Sequence, residues 1–147
     1  MRMAMVGTWA AVVMVVMGLV VVGVPVGYFL FVYGCGREEE RLGEALAGDP
    51  VLGEGVEGVR AEESYQGCDD DDLFVVAGKS YRYGGDRKSV LAHYREAAPA
   101  HGWRYRTNDC FTKSIDGAVA SLTLHGPADG SLQVEIVAVR EDPEPWC

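Results

Sequence analysis

No charged side chain lies between Arg2 and Arg37. That gap excludes an ordinary solvated start to the chain. Residues 3–33 are mostly Val, Met, Ala, Gly, Leu and Phe, and the run exceeds the about 20 apolar residues a helix needs to cross a hydrocarbon core. In lipid every backbone amide must find its partner within its own segment, so the run is expected to be helical despite its valines. Trp9 sits near its start, and Tyr28 and Tyr33 near its end, as suits aromatics at headgroup level. Pro25, flanked by Gly23 and Gly27, is the expected kink. Cleavage as a secretory signal is disfavoured, because the apolar region is far longer than the about 7–15 residues of such a signal. A second alternative is a lipoprotein signal. Val32-Tyr33-Gly34-Cys35 resembles a lipobox, which makes Cys35 a candidate for lipidation.

Lysine is also scarce: Lys79, Lys88 and Lys113 are the only ones. With 13 basic and 22 acidic residues the net charge is −9, and the residues after the apolar run are more acidic than the whole. This excludes a nucleic-acid binder, which needs a basic face to displace counterions, and a second electrostatic grip on anionic lipid.

Catalytic and metal-binding motifs are missing. His93, His101 and His125 form neither HExxH nor an i, i+4 pair. Ser114, Ser121 and Ser131 lack a Gly-x-Ser-x-Gly context. Gly84-Gly85 is not followed by Lys-Ser/Thr at P-loop spacing. No cofactor and no metal are implied. The loudest local signal is Asp69, Asp70, Asp71 and Asp72. Four consecutive aspartates point in different directions, so a solvated turn is the default and a weak calcium site the alternative.

What is present divides the chain into three expected parts: an anchor at 1–35, a polar stalk and linker at 36–58, and an extracytoplasmic domain at 59–147. A short polar helix is expected over 37–47, with a thin apolar stripe of Leu42, Ala45 and Leu46 and Gly48-Asp49-Pro50 as its stop. Its glutamates are read as solvated, with an acidic docking site as the alternative. Strands are expected over 59–66 and 73–83. The clearest helix is 86–101, with Asp86 as N-cap, Val90, Leu91, Tyr94, Ala97 and Ala98 at helical period, and Gly102 as stop. Short strands follow at 103–106 and 110–113. Ala118, Ala120, Leu122 and Leu124 then alternate with Val119, Ser121 and Thr123, and Leu132, Val134, Ile136 and Ala138 with Gln133, Glu135, Val137 and Val139. The expected fold is α+β: an N-terminal transmembrane helix, then a small antiparallel sheet with one helix on one face. The helix is expected to make the strands at 73 and 103 parallel neighbours.

Cys68, Cys110 and Cys147 show no metal-ligand spacing and suit an oxidising compartment. On the expected strand order, Cys68 and Cys147 fall at one sheet edge and are expected to pair. That leaves Cys110 free or joined to Cys35. Tyr81, Tyr83 and Tyr105 alternate with Arg82, Arg104 and Arg106; core aromatics beside a solvated arginine face are the default, and a protein-interaction face on these arginines is the alternative.

The runs Val90-Leu91-Ala92-His93-Tyr94-Arg95, His101-Gly102-Trp103 and Cys110-Phe111-Thr112-Lys113 resemble small actinobacterial proteins of unassigned function. Those combine a membrane anchor or lipoprotein signal with a compact α+β domain. The likeness covers about 67–139; it implies a fold and a place at the cell envelope, and transfers no activity. The resulting expectation is a single-pass, membrane-anchored extracytoplasmic module that binds a protein partner at the bacterial envelope without catalysis. The alternative is a small hydrolase-like envelope enzyme using the aspartates, or Cys110 with a histidine.

Overall fold

The computed structural model describes residues 3–31, 34–107, 109–140 and 147. The chain divides into two units, Met1–Gly34 and Cys35–Cys147. The first holds helix α1, Met3–Phe31, with Pro25 inside it. Its described side chains are those of 12–28. Among the described residues no helix is long and apolar enough to cross a membrane. Tyr33 and the side chain of Trp9 lie outside the described residues.

The second unit is an α+β domain. Its elements are helix α2 (Arg37–Ala47), a 3-10 turn (Pro50–Gly53), strands β1 (Arg60–Cys68) and β2 (Phe74–Arg82), helix α3 (Arg87–Ala100), and strands β3 (Arg104–Tyr105), β4 (Phe111–Ile115), β5 (Ala118–Ala128) and β6 (Ser131–Val139). The strands form one sheet in the order β1-β2-β6-β5-β4-β3, antiparallel at every step.

The alternation read in the sequence sets which side of each strand is buried. On β5, Ala118, Ala120, Leu122 and Leu124 are buried, and on β6 so are Leu132, Val134, Ile136 and Ala138. The register puts Ala120 opposite Ala138, Leu122 opposite Ile136 and Leu124 opposite Val134, so the two sets share a face. Val90, Tyr94 and Ala98 of α3 join the same core, as do Leu42 and Leu46 of α2. Helix α3 begins where expected, with Asp86 Oδ1 accepting from the Ser89 amide at 3.0 Å and its Oδ2 from the Ser89 hydroxyl at 2.8 Å. Those donors hold the Asp86 carboxyl below its usual range. Gly102 takes φ +83 and turns the chain out of the helix, a conformation that a Cβ makes strained.

Three expectations are corrected. Residues 36–58 are not a stalk: Leu42, Leu46 and Val51 are fully buried, and Leu52 and Val56 nearly so. Two helices, not one, therefore cover the sheet. The glutamates of the first turn of α2 serve its start, where Glu39 Oε2 accepts from the Gly36 amide at 2.8 Å. Second, the strands flanking α3 are not neighbours. Three strands, β6, β5 and β4, lie between β2 and β3, because the last hairpin enters the middle of the sheet.

Third, the cysteines pair as Cys35–Cys68 and Cys110–Cys147, not as Cys68–Cys147. Cys35 sits just before α2, whose amide end lies over the end of β1. That puts Cys35, and not Cys147, against Cys68. Cys35 sulfur is in a disulfide, which is incompatible with a thioether-linked lipid on the same atom. Disulfide peptide mapping of the non-reduced protein is expected to recover 35–68 and 110–147. Recovery of a 68–147 pair would contradict the fold. Cys35→Ser with Cys68→Ser opens a loop with a sequence separation of 33 and should lower stability by about 3–4 kcal/mol on chain-entropy grounds.

Candidate ligand-binding cleft

Strand β1 lies at the edge of the sheet, and its core-side residues face not another strand but the corner where α2 ends. Asp49 makes that corner. Its carboxylate is buried and accepts from three directions: the Val51 amide at 3.0 Å, Trp103 Nε1 at 3.1 Å, and Lys113 Nζ at 2.6 Å. The first starts the 3-10 turn. The other two reach 54 and 64 residues down the chain to the end of α3 and to β4. Lys113 also lies over the Trp103 ring, 5.7 Å from its centre. A second set of bonds holds the segment after the turn: the Tyr81 hydroxyl donates to the Leu52 carbonyl, and the Tyr94 hydroxyl to that of Glu54. His101 Nε2 stands 2.7 Å from Glu54 Oε1.

Between this corner and the β1–β2 edge is a cleft of about 370 Å³, within the range of small-ligand sites. Ala47, Asp49 and Leu52 line one wall, and Ser64, Gln66 and Lys79 the other. The register explains why these three share a wall: Ser64 pairs with Lys79, and Gln66 with Ala77. Lys79 is opposite Val134, which is opposite Leu124. A lysine therefore occupies a core-side position between Ala77 and Tyr81, both buried. Its ammonium rests 5.7 Å from the centre of the Tyr81 ring. Among the described residues no carboxylate lies within ion-pair distance of it; Asp49 is taken by Lys113 and Glu54 by His101.

The opposite face of the sheet carries a second polar group. The Tyr65 ring crosses β2 and donates to Glu135 Oε2 at 2.8 Å. It can do so only over Gly78, where an added Cβ would fall 2.4 Å from the Tyr65 ring carbon and hydroxyl. His125 Nε2 lies 3.2 Å from Thr123 Oγ1 and 3.7 Å from Glu135 Oε1. Both neighbours meet the same ring nitrogen. In a proton relay the nucleophile and the carboxylate address opposite nitrogens, so this geometry does not activate Thr123.

The residues singled out in the sequence fall elsewhere. Asp69 Oδ1 accepts from the amides of Asp71 and Asp72, and Asp70 Oδ1 from the amide of Cys35 at 2.9 Å. Asp69 to Asp72 thus close the β1–β2 turn. Among the described residues no three acidic, histidine or cysteine side chains converge as a metal site. Arg82 is on β2 and bound to Glu62 at 2.6 Å. Arg104 is on β3, four strands away, a separation of about 19 Å at the usual spacing. Arg106 follows Arg104 and donates to Thr112 at 3.3 Å. The three arginines form no single patch. Cys110 is in a disulfide and buried, so it cannot act as a thiolate nucleophile.

The lining of the cleft was missed in the sequence. Its one signal is Lys79, which interrupts the buried set Val75, Ala77 and Tyr81. A scan against protein-family models finds no match, and neither does a search of curated proteins or of solved structures.

Two predictions test this geometry. Asp49→Ala is expected to destabilise the domain by about 3–5 kcal/mol, since it leaves a charge and buried donors unpaired. Asp49→Ala with Lys113→Met should cost less than the sum of the two single changes. Additive losses, read by denaturant unfolding, would remove the coupling.

The second concerns tyrosine ionisation. Burial and Glu135 raise the Tyr65 phenol above its ordinary value; burial raises that of Tyr94, with Tyr81 and Glu54 adding. The unfolded phenols ionise near about pH 10, before the folded ones. The stabilisation is therefore whole below that pH and is lost as pH rises beyond it. Tyr65→Phe and Tyr94→Phe should each flatten the fall in melting temperature above about pH 10. An unchanged slope would contradict the assignment.

Proposed function

We propose that the chain is a single-pass, membrane-anchored protein whose domain lies outside the cytoplasm and binds a ligand or partner at the bacterial envelope without catalysis. The observation that carries the binding half is the cleft, which offers a cation and polar side chains but no paired nucleophile and base. The anchoring half rests on α1 and the cysteines. In α1 the described Val, Met and Leu side chains from Val12 to Val26 are each about half or more exposed. Apolar surface of that extent needs a lipid or protein cover. No charge interrupts the sequence from Met3 to Gly36. The two disulfides suit an oxidising compartment. The lipid of the bilayer is thus the first partner, through residues 3–33, and the envelope ligand the second. Of the hydrolase alternative, the route through Cys110 is closed by its disulfide; the route through Asp69 to Asp72 is disfavoured by their role in the β1–β2 turn.

Fractionation with intact-mass measurement tests the anchoring. The protein is expected in the membrane fraction, resistant to a carbonate wash, with an uncleaved apolar run, no lipid on Cys35 and the hydrogens of two disulfides missing. Recovery from the cytosol with reduced thiols would overturn it.

A further inference from the structure

We infer that the cleft beside Lys79 binds a small carboxylate, of the size of a capped dipeptide acid, with Lys79 as its counter-charge and Ser64 and Gln66 as hydrogen-bonding groups. The inference deepens the binding-module reading and rests on it.

Four observations carry it. The first is position. Lys79 occupies a core-side site on β2, next to the edge strand, between Ser64 of β1 and the buried Val134 of β6. Its core-side neighbours along β2, Ala77 and Tyr81, are buried, so the charged head breaks the pattern on this side of the strand. The second is charge. The other core-side lysine, Lys113, has a carboxylate at 2.6 Å, whereas Lys79 has only the Tyr81 ring. In a chain of net charge −9, a half-buried cation with no acidic partner among the described residues is out of pattern. The third is space: the ammonium borders an open cleft of about 370 Å³ rather than a packed interior. The fourth is the wall. Ser64 and Gln66 are exposed on the same side of β1 and can donate to a carboxylate held against Lys79.

The single cation selects the anion. A carboxylate carries one negative charge and is balanced by one ammonium. Inorganic phosphate is a mixture of mono- and dianion at neutral pH, and one ammonium balances only part of that charge. The cleft is therefore assigned a carboxylate. The free edge of β1 lies alongside and can extend the contact to the backbone of a peptide acid.

The test uses the oxidised full-length chain in detergent micelles and three probes: N-acetyl-alanyl-alanine, its C-terminal amide, and inorganic phosphate. The acid is expected to give saturable amide shifts at Ser64, Gln66, Gly78 and Lys79, and the amide and phosphate to bind at least tenfold more weakly. Lys79→Met should weaken the acid at least tenfold while the melting temperature holds or rises, as for a residue kept for binding at the expense of stability. Ser64→Asp, at an exposed site, should expel the acid without unfolding the domain, and serves if Lys79→Met does not fold. Absence of saturable shifts, equal binding of acid and amide, or tighter binding of phosphate would each overturn the assignment. Failure of the acid with the protein still membrane-bound removes the cleft assignment alone. Binding of the acid by a protein found in the cytosol leaves the cleft standing and removes the envelope location.

Discussion

The fold depends on one buried carboxylate. Asp49 ends α2 and starts the 3-10 turn, and its other bonds go to Trp103 and Lys113. Removing a charge from water costs several kcal/mol unless excellent hydrogen bonds replace the solvent. Here three donors do so, one of them charged. The arrangement has a geometric result. The segment from Arg37 to Val56 cannot swing free of the sheet, since its corner is bonded to the end of α3 and to β4. Leu42, Leu46 and Val51 are then held in the core. What the sequence presents as a polar stalk becomes one wall of a cleft.

The parts of the fold that local pattern can reach were legible. Alternation gave the buried sides of β5 and β6, and the Asp86 cap and Gly102 stop bounded α3 to within a residue. The bounds of α2 were also readable, but as a continuation of the apolar run; instead Gly34 takes φ +95 and the helix starts afresh after Gly36. Its burial was not readable. Leu42 and Leu46 make too thin a stripe to announce a core helix, and their burial depends on Asp49 finding partners 54 and 64 residues away. The cysteine pairing failed for a related reason. Pairing follows strand order, and local pattern does not show that β6 inserts beside β2 and sends β3 to the far edge. Even so, Cys68 and the end of β6 do share one end of the sheet, as Cys68 pairs with Val75 and Phe74 with Val139. The partner differs because Cys35 belongs to the domain and takes Cys68.

Long-range tethers recur. Cys35–Cys68 ties the start of the domain to the end of β1. Cys110–Cys147 ties the last residue to the start of β4. Arg140, just past β6, donates to Asp116 Oδ2 at 2.9 Å and to the Glu38 carbonyl at 3.0 Å, joining the β4–β5 turn to the first turn of α2. The same Arg140 bond holds the Asp116 carboxyl below its usual range. A domain of this size has a modest core, and each tether closes a stretch that would otherwise carry its own conformational entropy.

The two core-side lysines make the final contrast. Both sit on the helix-covered face of the sheet, and both rest near an aromatic ring. Lys113 is explained by the fold alone: without it Asp49 would be a buried charge with neutral donors only. Lys79 is not. Its cation–π contact contributes about 0.5–1 kcal/mol at an accessible site, and among the described residues no carboxylate adds to it. A charged head on the buried side of a strand, with no carboxylate beside it among the described residues, is a departure from the pattern, and such departures concentrate at functional sites. In this domain the departure falls on the wall of the cleft, and the strand next to it is the one with a free edge.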